Sequence, residues 1–416
     1  MSIYAWITVL VIAGTFLTLL LTKTRPETVF FTAMAVLCVS GVLNFEDTFK
    51  GFDSSSVLTV AVLYIVIAGL KYAGALEWIV THIMGQPKTH LRALLRLMIP
   101  VGLMSSVMSN TACTALFQNV VKIWAKRLNI SASKLLIPLA YAASMGGLLT
   151  LIGTPPNLII SSLYAQKTGQ AMNILTPLPV GAAILVAGVL VVVLLRRFLP
   201  TREVAADDAE SELARLQTKS NPRKVFISLS ILVLMLILSA TNTLPLETCC
   251  LGAGLLMVIT RCCTGEQAYR EVDWRVLIVF AGSVCIGKAI QTTGIDVLIT
   301  NAVMKIAGNS PLAVLMVICG VAAVTTEFLS DTGCAAMFFP IAWSASQALQ
   351  VSPMPFMLAL MMCVSSSYAT PIATPPNTIV YTAGGYRFAD FARIGIPLKI
   401  VAYFISVFLT LAIYPF

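Results

Sequence analysis

Two short polar patterns each occur twice, in stretches that are otherwise almost wholly apolar. Ser109-Asn110-Thr111 is followed by Gly153-Thr154-Pro155-Pro156-Asn157, and Ser330-Asp331-Thr332 by Ala373-Thr374-Pro375-Pro376-Asn377. A Pro-Pro pair removes two N–H donors and clashes with the preceding turn, so a helix that carries it must break there. Unwound backbone is tolerated in hydrocarbon only where it is buried in protein or lines a cavity. Such a break leaves free carbonyls on one side, which can hold a cation. On the other side it leaves a half-helix N-terminus worth roughly half a positive charge, which favours an anion. The chemistry these residues suit is therefore the binding of a small cation and a small anion together. A lone proline kink with a Ser/Thr patch is common at membrane helix contacts. Four motifs at matching positions call for a site.

The elements that position them must lie in a membrane. The chain has 416 residues, 58% hydrophobic and 11% charged, with a mean hydropathy of +0.90. A soluble domain carries about 25% charged residues, and a chain this apolar has nothing with which to cover a soluble surface. Runs near the ~20 residues that a span needs recur along it. The first, Tyr4–Leu21, has no basic leader and no small-residue cleavage site, so it reads as retained. The ten cysteines include Cys249-Cys250 and Cys262-Cys263, which lack zinc-site spacing, and read as small apolar residues. The net charge of +9 fits basic cytoplasmic loops and not a nucleic-acid partner. No HExxH, no GxSxG and no aspartate pair falls inside a span, so an enzyme is not expected.

The apolar segments fall at about 4–22, 27–44, 57–72, 93–121, 134–165 and 176–198, and then at 225–241, 246–261, 275–290, 311–349, 354–382 and 394–414. The polar stretch Arg202–Lys224 divides them, and AADDAESELARLQTK within it suits one soluble helix. The halves repeat. Gly153 and Ala373, Gly74 and Gly294, and Asp53 and Asp273 are each 220 residues apart, and Ser109 and Ser330 are 221 apart. Such self-similarity marks duplication. The expected units are an N-terminal repeat over 1–198 and a C-terminal repeat over 225–416, joined by a cytoplasmic linker over 199–224. Basic loops belong in the cytoplasm. That rule is met only if 93–121 and 311–349 are re-entrant hairpins, entering from the cytoplasm and from outside respectively. Each half then makes about five crossings plus one hairpin, an odd number that inverts the second half. Both termini are expected outside. The fold class expected is an all-α polytopic membrane protein with discontinuous helices at 134–165 and 354–382.

SNTACTALF with LIGTPPNLI, answered by TEFLSDTGCAAMFFP and PIATPPNTIV, resembles the divalent anion/Na⁺ symporter family of the ion transporter superfamily. The resemblance covers essentially the whole chain. It implies a secondary active transporter, usually a homodimer, with a scaffold domain and an elevator-like transport domain in the bilayer, in a bacterial inner membrane. It implies Na⁺-coupled uptake of a small divalent anion, a dicarboxylate such as succinate or malate, or sulfate, with no cofactor beyond the coupling ion. By the same resemblance a first Na⁺ site uses Ser105, Ser109, Asn110 and the backbone at Gly153. A second uses Thr326, the backbone at Leu329, Asp331 and the backbone at Ala373. The anion would meet Asn110, Thr111, Thr154, Pro155, Asp331, Thr332, Thr374 and Pro375. Net positive charge entering with the anion would couple transport to the membrane potential.

The family pattern has Asn where this chain has Asp331. An intramembrane carboxylate is costly and is by default functional. As a cation ligand it strengthens that site, beside a dianion it repels, and as a proton carrier it opens the alternative of a proton-coupled or exchange transporter. No basic residue lies near it in sequence. Glu327 is placed to brace the second tip by hydrogen bonds. Lys288 and Gln291 end a span, Trp124 and Trp274 suit the interface, and 75–85 and 295–307 read as amphipathic arms. Some members of the family carry large sensing domains in the central linker. This chain reads as a minimal member, or as one from which such a domain was removed.

Overall fold

A computed structural model of the chain describes residues 2–22, 24–75, 78, 87–202, 221–308 and 310–416. The described secondary structure is helical throughout. Proline sets several helix starts. Pro26, Pro155, Pro222, Pro311, Pro353 and Pro375 all sit in the first turn, where a missing N–H costs nothing and the fixed φ suits a helix.

The order of elements in the first half recurs in the second. The helices that begin at Pro26, Phe45, Ser55, Asn110, Ser133 and Pro155 have counterparts at Leu246, Gly265, Trp274, Asp331, Pro353 and Pro375. Equivalent starts differ by 219 to 221 residues. The long helices Ser55–Ala73 and Trp274–Thr293 end on Gly74 and Gly294, at φ +81 and +71. Only glycine enters that left-handed region without strain.

The apolar segments expected at 27–44 and 246–261 stop short of those bounds. Their helices are Pro26–Val39 and Leu246–Ile259. Gly41 and Arg261 then take positive φ, and Asn44 and Thr264 cap the short helices Phe45–Phe49 and Gly265–Glu271. Among the described residues, four helices are long and apolar enough to cross a membrane by length and composition: Leu178–Phe198, Pro222–Ala240, Trp274–Thr293 and Phe388–Ile413. Six shorter apolar helices accompany them. Large apolar side chains point outward from these elements, including Trp6, Leu10, Val186, Leu190, Phe226 and Val233. In water such a surface would aggregate; in a bilayer it faces lipid.

Ser55–Ala73 packs on Leu246–Ile259, and Pro26–Val39 packs on Trp274–Thr293. Each half thus supplies a wall to the other, and the cluster around Phe30, Met34, Leu37 and Ile286 seals one of these contacts. The hairpins and broken helices pack on one another, and Asp331–Ala348 also packs on Trp274–Thr293. His90–Ser105 packs on Ser133–Gly146, Asp331–Ala348 on both Pro353–Ser365 and Pro155–Thr168, and Pro375–Gly384 on Ser133–Gly146. Backbones come very close here. A methyl on Gly146 would lie 2.1 Å from Gly102 O, and one on Gly395 would lie 2.0 Å from Tyr368 O.

Several sequence expectations need adjustment. Trp124 is buried in the core, 4% exposed, at the basic end of Asn110–Leu128. Trp274 is half exposed and tilts against Tyr269. The arm at 295–307 is the helix Ile295–Ala307. Most of the arm at 75–85, and the soluble helix expected in the linker, lie outside the described residues. All ten cysteines are unpaired and nine are buried.

Candidate functional site

Each hairpin turns at its polar triplet. In the first, the helix His90–Ser105 ends and Asn110–Leu128 begins after Ser109. In the second, Pro311–Thr325 ends and Asp331–Ala348 begins after Ser330. The Pro-Pro helices break as their sequence requires. The first runs as Ser133–Gly146 and Pro155–Thr168, the second as Pro353–Ser365 and Pro375–Gly384.

The two unwound segments are tied by the same residue. Asn157 Nδ2 donates to Gly147 O at 3.2 Å and to Thr150 O at 2.9 Å. Asn377 Nδ2 donates to Ser367 O at 3.1 Å and to Thr370 O at 3.0 Å. Both asparagines are fully buried, so each satisfies two carbonyls that have no water to turn to. Thr150 Oγ1 donates to Ser106 O, and Thr370 Oγ1 donates to Glu327 O at 2.6 Å, fastening each segment to its hairpin.

The copies diverge in how they satisfy the rest. Glu327, 4% exposed, accepts from three successive backbone N–H groups, Tyr368 at 3.1 Å and Ala369 and Thr370 at 3.0 Å. Lys399 Nζ sits 2.6 Å from the same carboxylate and also donates to Ser366 O at 2.9 Å. The brace expected of Glu327 is therefore present, and it carries a buried ammonium with it. Its counterpart at the first tip is the neutral Ser106.

One cavity of about 400 Å³ is lined by both tips and both breaks: Ser109, Asn110 and Thr111; Gly153, Thr154 and Pro155; Asp331 and Thr332; Thr374, Pro375 and Pro376. Tyr64, Lys71, Glu271 and Asp273 also line it. The helices that start at Asn110, Pro155, Asp331 and Pro375 all present their N-termini to it. At roughly half a positive charge each, the four together offer about two, the charge of a dianion. Ser144 and Thr374 also line it, and their hydroxyls are buried with no partner among the described residues. They are donors available to a ligand.

Beside the first tip, Ser105 Oγ and the Asn110 amide are 2.6 Å apart. With Nδ2 turned inward, that amide donates to Ala143 O at 3.2 Å and Gly153 O at 3.3 Å. With Oδ1 turned inward, four oxygens face one another, an arrangement that a cation would hold together. Ser105, Asn110 and Gly153 are thus brought together, Ala143 O joins them, and Ser109 lines the adjoining cavity. At the second tip, Thr326 Oγ1 lies 2.8 Å from Val364 O and 3.1 Å from Ser367 Oγ. Leu329 and Ala373 are buried nearby in the chain. Asp331 turns elsewhere. Its Oδ1 accepts from its own neighbour, Thr332 N at 2.7 Å and Thr332 Oγ1 at 3.1 Å.

Sequence reasoning missed Asn157, Asn377, Lys399 and Lys71. The first two lie inside the quoted motifs. Lys399 had a signal, a lysine within an apolar span. Lys71 is held by Glu271 at 2.6 Å, from 200 residues away, and Tyr72 OH donates to the same carboxylate oxygen at 3.1 Å. Gln291, read as a span end, accepts from Lys167 Nζ at 2.7 Å.

With this geometry established, the chain matches the family model described as a citrate transporter over residues 15–303 and 284–415. It is 22% identical to a Synechocystis transporter, sll0640, over 93% of this chain and 94% of that one. That alignment spans 572 positions, so the relative carries insertions that this chain of 416 residues lacks. It is 26% identical to the sodium-dependent dicarboxylate transporter SdcS of Staphylococcus saprophyticus, over 78% of this chain and 69% of that one. The crystal structure of the Alcanivorax borkumensis YdaH transporter, described as having an unusual topology, superposes with a TM-score of 0.65 at 12% identity. The match covers 99% of this chain and 98% of that one.

Proposed function

The chain belongs to the citrate transporter family, a family of membrane transporters and not enzymes, and from that premise we propose that it carries a small dicarboxylate inward, driven by Na⁺. The observation that supports this reading most is the convergence of four helix N-termini and both hairpin tips on one cavity. Its volume of about 400 Å³ suits a ligand of this size. The named relative SdcS is a sodium-dependent dicarboxylate transporter, which agrees with the oxygen cage around Asn110. The second cation would be held by Thr326, the backbone at Leu329 and Ala373, and Asp331. The substrate would meet Asn110, Thr111, Thr154, Thr332 and Thr374. The two repeats are inverted in the membrane, and the hairpins and broken helices move as an elevator against a scaffold made of the remaining helices, in a homodimer in a bacterial plasma membrane.

Asp331 supports a second reading, in which a proton replaces one Na⁺, because a carboxylate at this position can be neutralised by either ion. Uptake of labelled succinate, malate, citrate and sulfate into proteoliposomes, with imposed Na⁺ or pH gradients, separates the two. Uptake that follows the Na⁺ gradient supports the first reading. Uptake that ignores Na⁺ and follows the pH gradient removes the Na⁺ assignment.

A further inference from the structure

Among the described residues, the cavity wall carries three carboxylates and one ammonium: Glu271, Asp273 and Asp331 against Lys71. Two of the carboxylates are answered by the protein. Glu271 holds Lys71 at 2.6 Å. Asp273 accepts from Arg275 N at 3.1 Å, and the Arg275 guanidinium lies 3.8 Å from it. Asp331 makes no ion pair with a described residue. Its Oδ1 accepts from Thr332 N at 2.7 Å and Thr332 Oγ1 at 3.1 Å, and its Oδ2 makes no further hydrogen bond with another described residue. Asp331 lines the cavity, whereas Thr326, Leu329 and Ala373 are buried behind it, with the Thr326 hydroxyl engaged by Val364 O and Ser367 Oγ. The free carboxylate oxygen therefore belongs to the substrate side of the second tip.

The charges of the cavity point the same way. Four helix N-termini at roughly half a charge each bring about +2. The Lys71–Glu271 pair is neutral, Asp273 is faced by Arg275, and Asp331 takes one charge away. About +1 remains, which matches a ligand of net charge −1 and not a bare dianion. Asn110, the equivalent residue of the first repeat, is neutral and is turned into the oxygens of Ser105, Ala143 and Gly153, so it makes no such correction. We propose that the preferred substrate is an amino dicarboxylate, a small anion with two carboxylates and one ammonium such as aspartate, and that Asp331 is the residue that selects it. The substrate carboxylates take the helix N-termini and the Ser144 and Thr374 hydroxyls, and the ammonium donates to Asp331 Oδ2 in a charge-assisted bond. Sulfate and succinate offer that oxygen nothing and meet it as a like charge, which is selection by repulsion as well as by attraction. This rests on the reading of the cavity as a dicarboxylate site and narrows it. It assigns Asp331 to the substrate and leaves the second cation to Thr326 and the backbone at Leu329 and Ala373.

The test is isothermal titration of the purified protein in saturating Na⁺, near neutral pH, with aspartate, malate and succinate. These share one carbon skeleton and differ at a single carbon, which carries an ammonium, a hydroxyl or hydrogen. The wild type should bind aspartate about tenfold or more tightly than succinate, the worth of one charge-assisted hydrogen bond, with malate between them. Asp331→Asn should reverse the order, losing about tenfold or more for aspartate and gaining for succinate; the gain shows that the variant is folded. Equal binding of aspartate and succinate by the wild type, or a preference for succinate, overturns the proposal and leaves the dicarboxylate reading standing. So does an Asp331→Asn protein that keeps the wild-type ratio of the two affinities and changes only its Na⁺ requirement, since Asp331 is then a cation ligand. If the wild type binds none of the three, the dicarboxylate reading falls and takes the proposal with it.

Discussion

Removing the charge of Glu327 tests how the second break is held open. Its carboxylate serves three backbone N–H groups at 3.0 to 3.1 Å and the Lys399 ammonium at 2.6 Å. The side chains of the pair are 6% and 13% exposed. In Glu327→Gln the amide oxygen still accepts from part of the N–H row, but Lys399 keeps only Ser366 O, at 2.9 Å. Breaking a buried pair from one side costs about 3–5 kcal/mol, because a charge is left uncompensated. Lys399→Met should cost a similar amount for the same reason. The double variant leaves no orphaned charge, and replacing a buried pair with neutral groups of similar volume is often close to neutral. Its loss should therefore be well below the sum of the two singles, with about 2 kcal/mol or more of coupling. Chemical unfolding in detergent, followed by circular dichroism, measures all four corners of this cycle. Strictly additive losses would show that the two groups do not act as a pair. A wild-type midpoint in Glu327→Gln would show that the carboxylate does not hold the unwound segment.

Three further outcomes follow from the geometry. Asn157→Ala and Asn377→Ala should each lower stability by about 2–3 kcal/mol, since each strands two buried carbonyls, and the similarity of the two losses in unfolding measurements checks the equivalence of the breaks. Gly395→Ala should be severely destabilising, because its new Cβ would lie 2.0 Å from Tyr368 O; Gly252→Ala, with nothing within 4 Å, should be neutral or slightly stabilising in the same assay. Lys71 is the one basic side chain among the described residues lining the cavity, so Lys71→Ala should raise the anion KM in proteoliposome uptake, whereas Glu271→Gln, which frees the ammonium, should lower it.

Much of the site was legible in the chain because proline and repetition are strong signals. Pro155-Pro156 and Pro375-Pro376 dictate breaks wherever they fall in a helix, and an offset of 220 residues pairs the breaks while one of 221 pairs the tips. The contacts that do not depend on residue type were hidden. Ala143 O and Val364 O are backbone groups, and nothing in an alanine or a valine announces a carbonyl beside a cage. The ion pairs were hidden by distance along the chain: Glu327 and Lys399 are 72 residues apart, and Lys71 and Glu271 are 200 apart. The helix ends at Val39 and Ile259 were masked because apolar pairs, Val42-Leu43 and Cys262-Cys263, follow the short polar turns Ser40-Gly41 and Thr260-Arg261, where Gly41 and Arg261 take positive φ.

The account stands on both repeats building a single anion site. Isothermal titration of the purified protein with a dicarboxylate in saturating Na⁺ measures this directly. It should give one anion per chain, and that binding should be weakened about tenfold or more when either tip is altered, by Asn110→Ala or by Thr332→Val. Two anions per chain, or an affinity unchanged by altering one tip, would contradict it.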